Sequence, residues 1–150
     1  MIANMQQEGG STAVLIGRWE QASRKMAELA EVIPPDRLDS QPLAGIRSFG
    51  DVLRHVAFWN QYVADTLNGK QAADDGNELP QAKYSAKASI LEALKSSSED
   101  VAKALRENRT ALDCKTTELI MTFVAHTSEH YGQLVVYTRL LGIAPPASRA

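Results

Sequence analysis

The chain has 150 residues, a length that suits one domain with its own hydrophobic core. Hydrophobic residues make up 44% and charged residues 23% of the chain, which excludes a disordered, collagen-like or low-complexity protein. The formal net charge of -2 leaves no excess of basic residues for contacts with phosphate groups, so no nucleic-acid partner is expected.

The cysteine content and the apolar runs predict a cytoplasmic protein. Cys114 is the one cysteine, so no disulfide can form within the chain. Residues 1–10 lack the basic and apolar regions of a signal peptide. No apolar run approaches the roughly 20 residues that span a bilayer, so no membrane partner is expected.

The chain divides into a leader, a domain and a tail. Residues 1–10 are polar and end in two glycines, and we expect a flexible leader there. A single domain is predicted over residues 11–146, and residues 147–150 form a tail.

The first two predicted helices have clear ends. Apolar residues recur at helical spacing from Ser11 to Ile33, where a pair of prolines ends the first helix. The second helix is predicted to begin at Ser48, which has the spacing of a capping box with Asp51. Asn68 and the glycine after it supply the C-terminal signal.

Two further helices follow a polar connection over residues 70–84. The third is predicted to begin with Ser85 as its cap and to end near Asn108, and the fourth to run from residues 116–117 to Gly142. The connection can run the length of a 20-residue helix, about 30 Å, so it permits a crossover between two helices that point the same way. No segment shows sustained strand alternation, and the sequence therefore predicts an all-α four-helix bundle.

All three histidines of the chain fall on predicted helices. His126 and His130 are four residues apart, which places both rings on one helix face at the spacing of two metal ligands. Such a pair also arises by chance on many helices, as satisfied or surface histidines. However, His55 lies within an apolar stripe, and burying imidazoles without a shared partner costs free energy. We therefore predict a three-histidine site for zinc, nickel, iron or cobalt.

Two carboxylates lie near these histidines in the sequence. Asp51 precedes His55 by four residues and could orient its ring, but its position in the capping box explains it equally well. Glu129 points about 100° away from His130 and is expected to be solvated, with an orienting role as the alternative.

Polar and aromatic residues continue the histidine faces. Gln133 and Tyr137 follow His130 at i+3 and i+7, and could contact a substrate or pack in the core. Trp59 and Tyr62 follow His55 at i+4 and i+7 and have the same two interpretations.

Two stretches of the sequence resemble the DinB-like (DinB/YfiT) superfamily of bacterial four-helix proteins: RSFGDVLRHVAFWN and HTSEHYGQLVVYTRLLGIAPP. In that family one histidine of the second helix and a HxxxH pair on the fourth bind a divalent metal. The second histidine of the pair is commonly followed by one residue and then Gly-Gln. The matching residues here are His55, His126, His130, Gly132 and Gln133.

The resemblance implies an up-down-down-up bundle with its crossover between the second and third helices. Members of the family include metal-dependent, thiol-dependent transferases and isomerases that use bacillithiol or mycothiol, beside many proteins with no assigned reaction. We therefore expect a metal site that activates a water or a low-molecular-weight thiol for transfer or hydrolysis on a small-molecule substrate. The alternatives are a non-catalytic metal- or small-ligand-binding helical dimer and a dimer with vestigial histidines.

The fourth predicted helix carries apolar residues around its whole circumference in its C-terminal half. In a monomer, Val135, Val136 and Leu140 would form an exposed patch. We therefore expect a homodimer with the fourth helix at the contact, helped by the first helix. Frequent dimerisation is also what the family resemblance implies.

Overall fold

The structure, a computed structural model, describes residues 2–107 and 112–149, with side chains described from residue 10 onward. This part of the chain forms four long helices and two short 3-10 helices and contains no strand. No helix within it is long and apolar enough to cross a membrane. The long helices are α1 (Ile2–Glu31), α2 (Phe49–Leu67), α3 (Lys87–Glu107) and α4 (Cys114–Leu140), and the short ones are Pro35–Arg37 and Pro146–Ser148.

The first helix begins at Ile2, whereas the sequence analysis placed its start at Ser11. Six of the eight residues before Gly9 are methionine, glutamine, alanine or glutamate, which favour helix. Two glycines lower helix propensity, but they do not prevent the extension of a helix that is already anchored in the core. Buried Trp19 and Met26 provide that anchor further along α1.

The capping box predicted for α2 is confirmed. The Asp51 amide donates to Ser48 Oγ at 3.1 Å, and the Ser48 amide donates to Asp51 Oδ2 at 3.1 Å. The predicted C-terminus is also confirmed, because Asn68 caps the helix and Gly69 has a φ of 67°, which favours glycine.

The starts of α3 and α4 differ from the prediction. The Ile90 amide donates to the Ala86 carbonyl, so the cap position of α3 falls on Ala86 rather than Ser85. The predicted end of this helix near Asn108 lies outside the described residues.

Asp113 caps α4 by accepting from the Thr116 amide at 2.7 Å, so this helix begins before residues 116–117. Aspartate is among the strongest N-cap residues, which explains the earlier start.

Two helix pairs have their directions set by core contacts. Val52 and Ile90 belong to one core cluster, and Val63 and Val101 belong to the second. The N-terminal halves of α2 and α3 therefore meet, as do their C-terminal halves, and the two helices run parallel. The first cluster also holds Met26 of α1 together with Leu134 of α4, and the second holds Trp19 with Ile120, so α1 and α4 also run parallel.

The pair formed by α1 and α4 runs in the opposite direction to the pair formed by α2 and α3. Glu31 of α1 pairs with Lys95 of α3 at 2.7 Å, whereas Glu20 pairs with Arg106. Because the pairs run in opposite order along the two helices, α1 and α3 are antiparallel. The bundle is therefore up-down-down-up, as expected. The link between α2 and α3 is the crossover between two helices that point the same way.

Part of the crossover is packed against α2, although the sequence suggested an exposed connection. The Leu79 amide donates to the Arg54 carbonyl at 3.3 Å, and Arg54 Nη1 donates to the Tyr84 carbonyl at 3.0 Å. Arg54 is 1% exposed, and its charge is paired with Asp51 at 2.6 Å. Gly76 lies so close to Phe58 that a Cβ would stand 3.2 Å from the ring. These contacts bring residues 76–79 onto the helix that carries His55.

The apolar C-terminal half of α4 differs in one residue from the predicted patch. Val136 and Leu140 are 57% and 67% exposed, but Val135 packs against the first core cluster. Consecutive residues of a helix point about 100° apart, so Val135 faces the bundle while Val136 faces outward.

Candidate metal centre

The structure brings the three histidines together at the contact between α2 and α4. One ring nitrogen from each of His55, His126 and His130 lies within 4.8 Å of the others. The Nε2 atoms of His55 and His126 are 2.9 Å apart. The packing of α2 against α4 produces this convergence, because it brings the helix face with His55 onto the helix face with His126 and His130.

The nitrogen atoms have the arrangement that a divalent metal needs. Metal–nitrogen bonds of about 2.0–2.1 Å in a tetrahedral site separate the ligand atoms by roughly 3.3 Å. Small rotations of the rings bring the histidine cluster to that spacing from the separations present here. A set of three imidazoles leaves further coordination positions open, as in catalytic rather than structural metal sites.

His55 is held in one ring orientation by the crossover. Its Nδ1 donates to the backbone carbonyl of Asn77 at 2.6 Å, because a carbonyl oxygen can only accept. This bond fixes the tautomer and leaves the lone pair on Nε2, the atom directed at His126. Sequence reasoning missed Asn77, because its contact is made by the backbone of a loop far away in the chain.

His130 is oriented by a chain of three hydrogen bonds along α4. The Tyr137 hydroxyl donates to the Arg47 carbonyl at 3.2 Å and accepts from the Gln133 side chain at 2.8 Å. The amide nitrogen of Gln133 is thereby used, and its oxygen accepts from His130 Nδ1 at 2.9 Å. Because the Arg47 carbonyl can only accept, the direction of each of these three hydrogen bonds follows from it. His130 therefore carries its proton on Nδ1 and presents the lone pair of Nε2. Gln133 and Tyr137 therefore act on His130 in this structure.

Burial keeps two of the rings neutral. Burial and the nearby His130, His55 and Arg47 lower the pKa of His126 to about 4. Burial also lowers the pKa of His55, although the bond to Asn77 opposes this change. Imidazole binds a metal only in its unprotonated form, so these two residues are ready to coordinate at neutral pH.

Aromatic side chains flank the histidines on the side toward the C-terminus of α2. Trp59 contacts the His55 ring edge-on and stacks on Phe123, with ring centroids 5.7 Å apart. Tyr62 contacts both Trp59 and Phe123. All three are half-buried, and Tyr62 and Phe123 also pack against the second core cluster. Together they form an aromatic wall beside the site. Phe123 was missed as a site residue, although its position three residues before His126 places it on the same face.

The two carboxylates considered from the sequence do not orient the histidines. Asp51 accepts from Ser48 and pairs with Arg54, which confirms its capping role. Burial raises the pKa of this carboxyl, but the hydrogen bonds of Arg54 and Ser48 outweigh burial and lower it overall. Glu129 is exposed and makes no hydrogen bond or ion pair with another described residue, as expected for a solvated side chain.

An ion pair lies beside the cluster on the side away from the aromatic wall. Arg47 Nε donates to Glu78 Oε1 at 2.5 Å, and both side chains are about one-third exposed. The positive charge of Arg47 acts on both His55 and His126. Sequence reasoning missed both residues, because Arg47 precedes the helix and Glu78 lies in the crossover.

The comparison with curated proteins found no match. A family model described as the DinB family matches residues 5–149. This match spans all four helices and contains the three histidines that converge in the structure. The chain therefore belongs to the DinB family.

Proposed function

We propose that this protein is a metal-dependent enzyme with His55, His126 and His130 as the ligands. The observation that carries the proposal is the orientation of two of the rings. His55 and His130 each donate a hydrogen bond through Nδ1, so both present an Nε2 lone pair beside His126. Imidazole donors suit zinc, nickel, iron or cobalt better than magnesium or calcium.

The metal would supply a Lewis acid that lowers the pKa of a bound water or of a low-molecular-weight thiol. The protein's own residues have separate tasks. The three rings hold the ion without cancelling its charge, since each is neutral when bound. Asn77 and Gln133 keep two of the rings in the productive orientation, and the aromatic wall excludes water from one side. The activated group would then attack a small-molecule substrate in a transfer or hydrolysis reaction.

A non-catalytic metal- or ligand-binding role is the second candidate, and one observation favours it. Within the described residues, Glu78 pairs with Arg47 and Asp51 pairs with Arg54. Neither of these carboxylates is therefore free to act as a general base beside the cluster, and Glu129, which has no such partner, is exposed. A panel of thiol cofactors and electrophiles divides the two roles, because only an enzyme releases product repeatedly.

Metal analysis tests the proposal directly. Protein purified without a histidine tag or added metal should contain a stoichiometric transition metal, measured by mass spectrometry of the elements. Replacement of any one of the three histidines by alanine should lower metal affinity sharply while the far-UV circular dichroism spectrum stays helical, because apolar packing holds the bundle. Absence of metal from the wild type, or unfolding on chelation, would contradict this.

We also propose a homodimer and a cytoplasmic location. The exposed Val136 and Leu140 lie on one outward face of α4, and Val14 of α1 is 61% exposed, which supports a contact through these two helices. Cys114 is free and exposed, a state that fits a reducing compartment.

A further inference from the structure

The contact between α2 and α4 has different chemistry on the two sides of the histidine cluster. On one side, Trp59, Tyr62 and Phe123 contact one another with ring centroids 5.2–5.8 Å apart. All three rings are half-buried and therefore reachable from solvent. A contiguous, partly exposed aromatic surface beside a polar cluster is typical of a small-molecule site.

On the other side, Arg47 has hydrogen-bonding capacity that the fold does not use. Its Nε binds Glu78, but neither Nη group makes a hydrogen bond or ion pair with another residue in the described part of the chain. The side chain is 36% exposed. Its backbone is held in place because the Arg47 carbonyl accepts from Tyr137. A fixed guanidinium with two free Nη groups is well suited to bind a carboxylate.

The histidine cluster and the crossover lie between the two sides. Trp59 contacts the His55 ring and Phe123 contacts the His126 ring, at centroid distances of 6.4 and 5.7 Å. Asn77 accepts from Trp59 Nε1 through its side chain at 3.1 Å and from His55 through its backbone. The next residue, Glu78, binds Arg47. Neighbouring Cα atoms are about 3.8 Å apart, so two consecutive residues of the crossover connect the aromatic wall to the guanidinium.

The charges on this surface favour an anion once a metal is bound. The charges of Arg47 and Glu78 cancel each other. A divalent metal would leave the region with a net positive charge, which attracts anionic ligands. The aromatic wall, in turn, would gain from contact with an apolar group.

We infer that the substrate of this site is a small organic acid, whose carboxylate binds Arg47 and whose apolar body lies on Trp59, Tyr62 and Phe123. This inference rests on the proposed function, because the metal between the two contacts would provide the reactive centre. The histidine cluster then faces the middle of the bound acid, between its carboxylate and its apolar end.

Binding of 3-phenylpropionate to the metal-loaded protein tests the inference by calorimetry. The neutral 3-phenylpropionamide should bind about tenfold more weakly or worse, because a charge-assisted hydrogen bond is lost. Arg47→Gln should weaken binding of the acid by a similar factor but leave binding of the amide unchanged. Phe123→Leu should weaken both ligands several-fold, since it removes the aromatic contact.

Glu78→Gln provides a test with the opposite sign. Removing this carboxylate takes away a negative charge and frees Arg47 Nε, so 3-phenylpropionate should bind more tightly. A merely structural ion pair would instead weaken binding in both the Arg47 and the Glu78 variants. The matched controls are Arg24→Gln and Glu28→Gln, from an exposed pair on α1 at 3.9 Å, and neither should change the affinity.

Three outcomes would overturn the inference. The first is that 3-phenylpropionate does not bind the wild type, and the second is that the acid and the amide bind equally well. The third is that Arg47→Gln binds the acid as tightly as the wild type does and that a chelator abolishes this binding, which would place the carboxylate on the metal. Metal content measured in the same samples separates the two proposals. Protein without metal that still binds the acid through Arg47 contradicts the proposed function alone.

Discussion

The orientation of His130 depends on residues that never reach the metal position. Gln133 accepts from His130 Nδ1, and Tyr137 fixes the amide of Gln133. Partners of this kind set the tautomer and raise the basicity of the coordinating nitrogen. A glutamine three residues after a metal-binding histidine is therefore best understood as a positioning residue for this ring.

We predict that Gln133→Leu lowers metal affinity by about 10–100-fold. Gln133→Glu should retain most of the affinity, because a carboxylate also accepts from Nδ1. Tyr137→Phe should cause a smaller loss, since the ring still packs on Phe49 while the amide loses its anchor. Competition with a chromophoric chelator measures each affinity.

Gln61→Leu is the control, because Gln61 is exposed on α2 and its side chain, within the described residues, bonds only Asp65. Wild-type affinity in Gln133→Leu would show that the hydrogen bond contributes nothing to metal binding.

The low pKa of His126 predicts a pH-dependent stability of the metal-free protein. Burial lowers this pKa to about 4 in the folded state. An unfolded chain has a histidine pKa of about 6.5 and binds more protons between these two values. The free energy of unfolding should therefore decrease as pH falls from about 6.5 to about 4, and this contribution is constant below that range.

Urea denaturation at stepped pH values measures this dependence. His126→Gln should show a flatter profile, because glutamine does not titrate. Identical slopes for the wild type and His126→Gln would be inconsistent with a buried neutral ring.

At the scale of elements, the start of α2 sets the position of the site. The capping box fixes where the helix begins, and His55 follows two turns later. Asp51 also pairs with the buried Arg54, which holds the crossover through the Tyr84 carbonyl. One short segment thus stabilises the helix start and the loop that orients His55.

We predict that Ser48→Ala lowers the free energy of unfolding by about 1 kcal/mol, since it removes the cap. Chemical denaturation measures the change. Ser96→Ala is the matched control, because Ser96 is exposed in α3 and its hydroxyl bonds only the Ala93 carbonyl. Equal stability of Ser48→Ala and the wild type would show that the cap adds nothing.

The exposed surface of the molecule differs in polarity between α4 and α3. Val136 and Leu140 are exposed on α4, whereas exposed positions of α3 include charged residues such as Lys95, Glu99 and Lys103. Water solvates the α3 surface readily, but an apolar face that stays exposed is costly.

We predict that the wild type has the mass of two chains by light scattering at micromolar concentration. Val136→Glu and Leu140→Glu should each shift it toward one chain, because a charge would be buried in the contact. Ser96→Glu on α3 should leave the mass unchanged. A wild-type mass near one chain refutes the dimer, and a dimer that survives both α4 substitutions places the contact on another face.

Local sequence patterns are sufficient to predict the helices and the three candidate metal ligands. Helix ends depend on local signals, such as the Ser48 capping box and the glycines after α2 and α4, so they could be predicted from neighbouring residues. The spacing of His126 and His130 likewise depends only on the helical repeat. Errors arose where helix propensity and capping residues allow more than one start, as at Ile2 and Asp113.

The groups that surround the three histidines depend on the tertiary structure. Asn77 contacts His55 through its backbone carbonyl, which no residue type reveals, and Arg47 meets Glu78 across 31 positions of sequence. Both contacts depend on the path of the crossover over α2, which is set by packing between distant segments. The ligands follow from helical periodicity, whereas their orientation and the chemistry around them follow from long-range contacts.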